Sequence, residues 1–193
     1  MTKANKGTLY IISGPSGVGK GTLKQRLLSE FGEHLKFSVS ATTRSPRPGE
    51  QEGVDYFYMD ESAFRKRIEE NNFLEYARYA GNFYGTPYSF VEGLLQEGKD
   101  VILEIDLKGA RQVMERKPDC ISVFILPPSM QELESRLRGR GTEDEEKIRR
   151  RLAAADEEIA HADEYTYQLV NDNLDETYEE LKKIYLKHAG FCN

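Results

Sequence analysis

Ser13-Gly14-Pro15-Ser16-Gly17-Val18-Gly19-Lys20-Gly21-Thr22 stands between an apolar run, Leu9-Tyr10-Ile11-Ile12, and a stretch in which Leu23, Leu27 and Phe31 recur at helical spacing. A strand, a glycine-rich turn and a helix in that order make a phosphate-binding loop. Gly14, Gly17 and Gly19 let successive backbone N–H groups turn inward around phosphate oxygens, and Lys20 adds a point charge where the helix N-terminus contributes its own donors. One position departs from the pattern: Gly21 stands where a serine or threonine usually helps to hold magnesium. The hydroxyl must therefore come from Thr22 or be replaced by water.

Composition narrows what surrounds the loop. At 193 residues the chain suits one domain with a sizeable core, or a core with small insertions. Its formal net charge of −6 argues against binding nucleic acid or anionic membrane through a general positive field. The opening residues lack the apolar stretch of a secretory signal and no run reaches membrane-spanning length, so the expectation is a soluble, cytoplasmic protein. Cys120 and Cys192 suggest neither a metal cluster nor a disulfide framework.

Strand-like runs at 8–13, 37–41, 100–106, 121–126 and 167–171 alternate with helical patterns, which implies an α/β fold with a parallel sheet covered on both faces. Ligands of such sheets bind at the carboxyl ends of the strands. Two stretches interrupt the alternation. The first, about 40–89, holds Arg44 and Arg47, then Tyr56-Phe57-Tyr58, a short helix around Phe64 and Ile68, and a hairpin turning at Gly81-Asn82. The second, about 128–160, carries Arg136, Arg138 and Arg140, then a helix with a capping box of Thr142 and Glu145 and an apolar stripe of Ile148, Leu152, Ala155 and Ile159. For Arg138 and Arg150 a solvated helix face is the plain reading. Arginines on two insertions flanking a phosphate loop nevertheless suit phosphoryl transfer, where positioning and positive charge supply most of the catalysis and mobile pieces exclude water.

The phosphate loop, Phe37-Ser38-Val39-Ser40-Ala41-Thr42-Thr43-Arg44 with Pro46-Arg47, Gly53-Val54-Asp55-Tyr56, Gly81-Asn82-Phe83-Tyr84-Gly85-Thr86, Ile102-Leu103-Glu104-Ile105-Asp106 and Arg138-Gly139-Arg140-Gly141-Thr142 together resemble guanylate kinase over nearly the whole chain. The resemblance implies a P-loop NTPase core (1–39, 90–127 and 161–193), a small mixed α+β GMP-binding insertion (40–89) and a helical lid (128–160). It implies a reaction of ATP with GMP to give ADP and GDP, with Mg2+. It places the ATP phosphates on Gly14 through Thr22 with Arg136, the adenine near Asn171, and the GMP phosphate on Arg44, Arg47, Tyr56 and Tyr84. Guanine would be read by Ser40, Glu75 and Thr86, with Asp106 alongside; Lys20, Arg44, Arg140 and Arg151 would carry catalysis.

Glu75 has a chemical case of its own. An ionised carboxylate only accepts hydrogen bonds, and guanine presents two adjacent donors, N1–H and the exocyclic amine, where adenine offers an acceptor at N1. A hydroxyl from Ser40 or Thr86 can donate to guanine O6. Glu104 and Asp106, two apart on one strand, would face the same side, near the GMP or the metal's waters. Three other classes stay open. Asp106-Leu107-Lys108-Gly109 matches the D-x-x-G of regulatory GTPases, though no Asn-Lys-x-Asp segment follows. A guanylate-kinase-like phosphopeptide-binding module would share the GMP part but tends to lose the phosphate loop, and a P-loop kinase of another small phosphorylated metabolite need not carry the Ser40, Arg44, Tyr56, Glu75 and Tyr84 set.

Overall fold

A computed structural model describes residues 6–139 and 144–189. Its central sheet contains β1 (Leu9–Ser13), β2 (Leu35–Phe37), β7 (Asp100–Glu104), β8 (Ile121–Leu126) and β9 (Tyr167–Val170), all parallel, in the order β2-β7-β1-β8-β9. The apolar run of β1 follows from burial on both faces. Tyr10 and Ile12 join one core cluster with Leu23 and Leu27 of α1 (Lys20–Phe31) and Tyr185 of α7 (Leu174–His188), while Leu9 and Ile11 join the opposite cluster with Val91 of α3 (Tyr88–Gln96) and Val113 of α4 (Leu107–Arg116). The phosphate loop leaves the carboxyl end of β1, where the strand order changes direction between β7 and β8.

A second sheet, in the order β4-β3-β6-β5, comprises β3 (Ser40–Thr42), β4 (Tyr56–Tyr58), β5 (Phe73–Tyr79) and β6 (Asn82–Pro87). Phe64 of α2 (Glu61–Glu69) stacks on Phe73, with ring centres 4.3 Å apart, and on Phe83, giving this unit its own small core. Residues 37–41, which read as one strand, divide between the two sheets. β2 ends at Phe37 and β3 begins at Ser40, so the chain changes sheets within Ser38-Val39. Asp106 also lies beyond its strand: β7 stops at Glu104, and Asp106 caps α4 by accepting the Gly109 N–H at 2.8 Å. The D-x-x-G match is thus a helix N-cap. The hairpin turns on Ala80 and Gly81, with φ of 47° and 86°, one residue earlier than the glycine-asparagine pair suggests.

Leu133 and Leu137 of α5 (Met130–Gly139) enter the core beside Val18, making a helix that the arginine-rich sequence does not announce. α6 (Glu145–Ile159) is capped by Asp144, whose carboxylate accepts the Lys147 N–H at 2.8 Å, while Thr142 lies outside the described residues. Its stripe packs inward as the periodicity requires, with Ile148 and Ala155 buried. Arg138 pairs with Glu134 and Glu145, and Arg150 with Glu146, on solvated faces. Among the described residues no helix is long and apolar enough to cross a membrane.

Candidate active site

Backbone geometry at the loop explains its glycines. Gly14 and Gly19 have φ of 140° and 104°; a Cβ on Gly14 would lie 2.3 Å from the Ile125 carbonyl oxygen, and one on Gly19 2.4 Å from Asn171 Nδ2. Lys20 opens α1, and its ammonium donates to the carbonyls of Gly14 at 2.5 Å and Pro15 at 3.0 Å, holding it across the loop. Asn171 braces the same loop. Its amide donates to the Val18 carbonyl at 2.7 Å, and its own carbonyl accepts Arg136 Nη1 at 3.0 Å, while Arg136 Nε donates to Glu132. Arg151 reaches over from α6 and donates to Ser16 Oγ at 2.5 Å, so the second arginine-bearing stretch touches the loop. Arg140 lies outside the described residues, and Thr22 is exposed on α1.

The second sheet supplies a cavity of about 300 Å³ at the ends of β1 and β7. Ser40, Tyr56, Glu75, Tyr84 and Asp106 line it together. Glu75 is 8% exposed and accepts the Thr86 hydroxyl at 2.6 Å. Burial, and next the charge of Asp106, pushes its carboxyl above the ordinary range, against the pull of the Thr86 hydrogen bond. Gly109 sits between the two acids; a Cβ there would lie 3.3 Å from Glu75 Oε2 and 3.4 Å from Asp106 Oδ1. Where the sequence lets either hydroxyl reach guanine O6, the structure commits the single proton of Thr86 to Glu75.

On the outer side of the cavity, the Arg44 guanidinium carbon stands 5.4 Å from the centre of the Tyr56 ring, and Tyr56 meets Tyr84 edge-on at 6.1 Å. The Arg47 side chain is exposed. Glu104 pairs with Lys24 at 2.7 Å and does not line the cavity.

Two carboxylates join the site without a signal in the sequence. Glu50 binds Arg44, and Glu158 of α6 borders a cavity of about 200 Å³ with Asp106. Burial raises the Glu158 carboxyl, the Lys20 charge pulls it back and Asp106 raises it further. A helix face of mixed acids and bases hides such a residue, although its place next to the Ala155 and Ile159 stripe marks it as half-buried.

A cavity lined by Ser40, Tyr56, Glu75, Tyr84 and Asp106, together with a phosphate-binding loop, can be set against known proteins. The family model for guanylate kinase matches residues 6–188. The chain belongs to the guanylate kinase family. This family of nucleoside monophosphate kinases moves the γ-phosphoryl group of ATP to GMP. Guanylate kinase of Trichodesmium erythraeum is 54% identical over 178 residues, covering 92% of this chain and 95% of that protein. The enzyme of a Synechococcus species is 51% identical over 181 residues, with 94% and 83% covered. Among solved structures, guanylate kinase from Anaplasma phagocytophilum matches with a TM-score of 0.70 at 34% identity, covering 98% of this chain and 89% of that one. The SH3-kinase fragment of tight junction protein 3 matches at 0.54 with 13% identity, covering 97% and 60%, and shares the fold alone.

Proposed function

We propose that the ATP:GMP phosphotransferase reaction of this chain is divided between its two sheets, with ATP along the Gly14–Thr22 loop and GMP in the cavity of the second sheet. An oxygen of the GMP phosphate attacks the γ-phosphorus, the bond to the β–γ bridging oxygen breaks, and ADP leaves with the electron pair. The nucleophile is already an anion, so no protein group has to remove a proton. What the reaction needs is alignment and positive charge.

Glu75 accepts N1–H and the exocyclic amine of guanine, Thr86 keeps its carboxylate in place, and Ser40 donates to O6. Arg44 and Arg47, with the Tyr56 and Tyr84 hydroxyls, hold the acceptor phosphate. Lys20 and Arg151 neutralise charge that builds on the migrating group, and Arg140 takes the same part. Asn171 and Arg136 support the loop from its flank. The observation that carries this reading is the single cavity joining Ser40, Tyr56, Glu75, Tyr84 and Asp106 at the strand ends beside the loop.

The residues fit a magnesium ion that keeps much of its water. Among the described residues there is no group of three His, Cys, Asp or Glu able to hold a metal, yet Asp106 and Glu158 border one cavity within electrostatic reach of Lys20. ATP phosphates would hold the ion directly, with Asp106, Glu158 and the Thr22 hydroxyl on its waters. When bound it supplies charge neutralisation at the β- and γ-phosphates. The acidic balance disfavours nucleic acid and anionic membrane, leaves recognition of free nucleotides to local arginines and lysine, and accords with a cytoplasmic place of work.

Coupled measurement of ADP formation with ATP and each nucleoside monophosphate in turn tests the assignment. GMP is the preferred acceptor; Lys20→Ala nearly abolishes turnover; and Arg151→Ala lowers kcat by up to about three orders of magnitude with little change in GMP affinity. Turnover close to wild type in Lys20→Ala would take Lys20 out of the chemistry, and no turnover by the wild type with any acceptor would instead favour a phosphopeptide-binding module.

A further inference from the structure

We propose that Glu50 is a positioning residue for the transfer reaction, gripping the Arg44 guanidinium by one edge so that its remaining donors face the phosphate of GMP. The inference rests on the reading of Arg44 as a phosphate ligand and adds a residue which that reading does not contain.

Arg44 Nη2 donates to both oxygens of Glu50, at 2.8 and 3.0 Å, and Nη1 donates to the Ser45 carbonyl at 2.7 Å. A guanidinium carries five N–H donors in a rigid plane, so fixing one edge sets the direction of the others. On the cavity side the guanidinium interacts with Tyr84, and its carbon stands 5.4 Å from the centre of the Tyr56 ring. Glu50 is itself tied down. It accepts the Arg47 N–H at 2.7 Å and the Tyr58 hydroxyl at 2.8 Å, so both ends of the loop from Arg44 to Tyr58 converge on one carboxylate.

The arrangement differs from an ordinary surface ion pair, which contributes little because two long side chains must be ordered to form it. Here the side chains of Arg44 and Glu50 are 15% and 19% exposed, and three partners besides the arginine's own neighbour hold the loop in register. An arginine already ordered loses less conformational freedom when a phosphate arrives. The Arg44 bonds, then the Arg47 N–H and the Tyr58 hydroxyl, hold the Glu50 carboxyl down to about 2, which keeps it anionic through the working range. A rival reading makes Glu50 an internal competitor that occupies the phosphate position. Arg44 and Glu50 both stand outside the lining of the cavity that Tyr56 and Tyr84 border, so binding measurements decide between the two.

The two readings predict opposite signs. Calorimetric titration of Glu50→Gln, Arg44→Ala and the double variant with GMP and with guanosine, alongside steady-state kinetics, separates them. Glu50→Gln should weaken GMP binding about tenfold, the scale of a lost charge-assisted hydrogen bond, and leave guanosine affinity and the KM for ATP unchanged. In the Arg44→Ala background the same change should add less than about twofold, since Glu50 acts through Arg44. Tighter GMP binding by Glu50→Gln, an equal loss for guanosine, or a full additional loss in the double variant would each overturn the inference. Wild-type GMP binding by Arg44→Ala would overturn the reading of Arg44 and the inference with it; weak binding there beside unchanged binding by Glu50→Gln would overturn the inference alone.

Discussion

Glu75 is held at 8% exposure in a site that raises its pKa, yet base recognition requires it ionised. The sign of the resulting pH dependence follows. As pH falls through the raised pKa of the free enzyme, the carboxyl takes up a proton and presents a donor to the donors of guanine. The acid limb of kcat/KM for GMP should therefore contain, beside the ionisation of the GMP phosphate at about 6, a component above the ordinary carboxyl value of 4.5 that is lost in Glu75→Gln, whose selectivity for GMP over AMP should also shrink. Stability runs the other way. A carboxyl with a raised folded-state pKa makes folding less favourable as pH rises from 4.5 through that pKa, so the unfolding temperature of Glu75→Gln should gain on that of wild type as pH rises from 4.5. Unchanged selectivity for GMP over AMP in Glu75→Gln would remove Glu75 from base recognition, and an unfolding temperature that does not gain on wild type with pH would remove the stability cost. Lys20 is legible in the sequence because a spaced motif demands its residue type, whereas Glu75 stands out only through the family resemblance, an acid on a strand being otherwise an ordinary ion-pair partner. Glu50 is not legible, since its importance lies in a contact across a loop with no period.

At the level of elements, α3, α4 and the residues before β1 are fastened together by one carboxylate. Glu92 of α3 meets Lys117, which follows α4, at 2.7 Å and Lys6 at 2.7 Å. These bonds, the Lys117 one first, draw its carboxyl from 4.5 to about 2. The contribution to stability is complete above 4.5 and disappears as pH falls toward 2. Glu92→Gln should cost about 1 kcal/mol at pH 7, the value of a partly solvated pair, and the difference from wild type in urea melts should close as the acid end is approached. A difference that stays constant with pH would mean that packing, not charge, is lost. The strands of the central sheet are legible because burial on both faces writes continuous apolar runs such as Leu9-Tyr10-Ile11-Ile12. Other elements escape notice for physical reasons. Periodicity registers an extended backbone but not the change of partner at Ser38-Val39, and Leu133 and Leu137 are too sparse among charges to declare α5.

Across the whole molecule, the chain passes between the two sheets at Ser38-Val39 and at the junction of β6 with α3, and β5 also packs on α4, where Leu74 joins the core cluster of Val113 and Tyr76 exchanges hydrogen bonds with Gln112. Tyr79, 75% exposed at the hairpin tip, faces Lys147, Arg150 and Arg151 of α6 across a gap of about 550 Å³. With β5 anchored on α4 and a gap open toward α6, a closure across that gap would exclude water from the transferring group. GMP together with a non-hydrolysable ATP analogue should lower the radius of gyration in small-angle scattering more than either ligand alone; an unchanged profile with both bound would show the two units to be static. The brace on the phosphate loop has a consequence of another kind. Asn171 binds Val18 from 153 residues further along the chain, and Tyr185 accepts the Tyr10 hydroxyl of β1 on its carbonyl. Synthesis proceeds from the amino end, so the segment that reads out first as a nucleotide motif is completed by strands and helices made last. A ribosome carrying the first hundred or so residues, about half the chain, holds a recognisable loop without the Asn171 brace, which can form only as β9 pairs with β8.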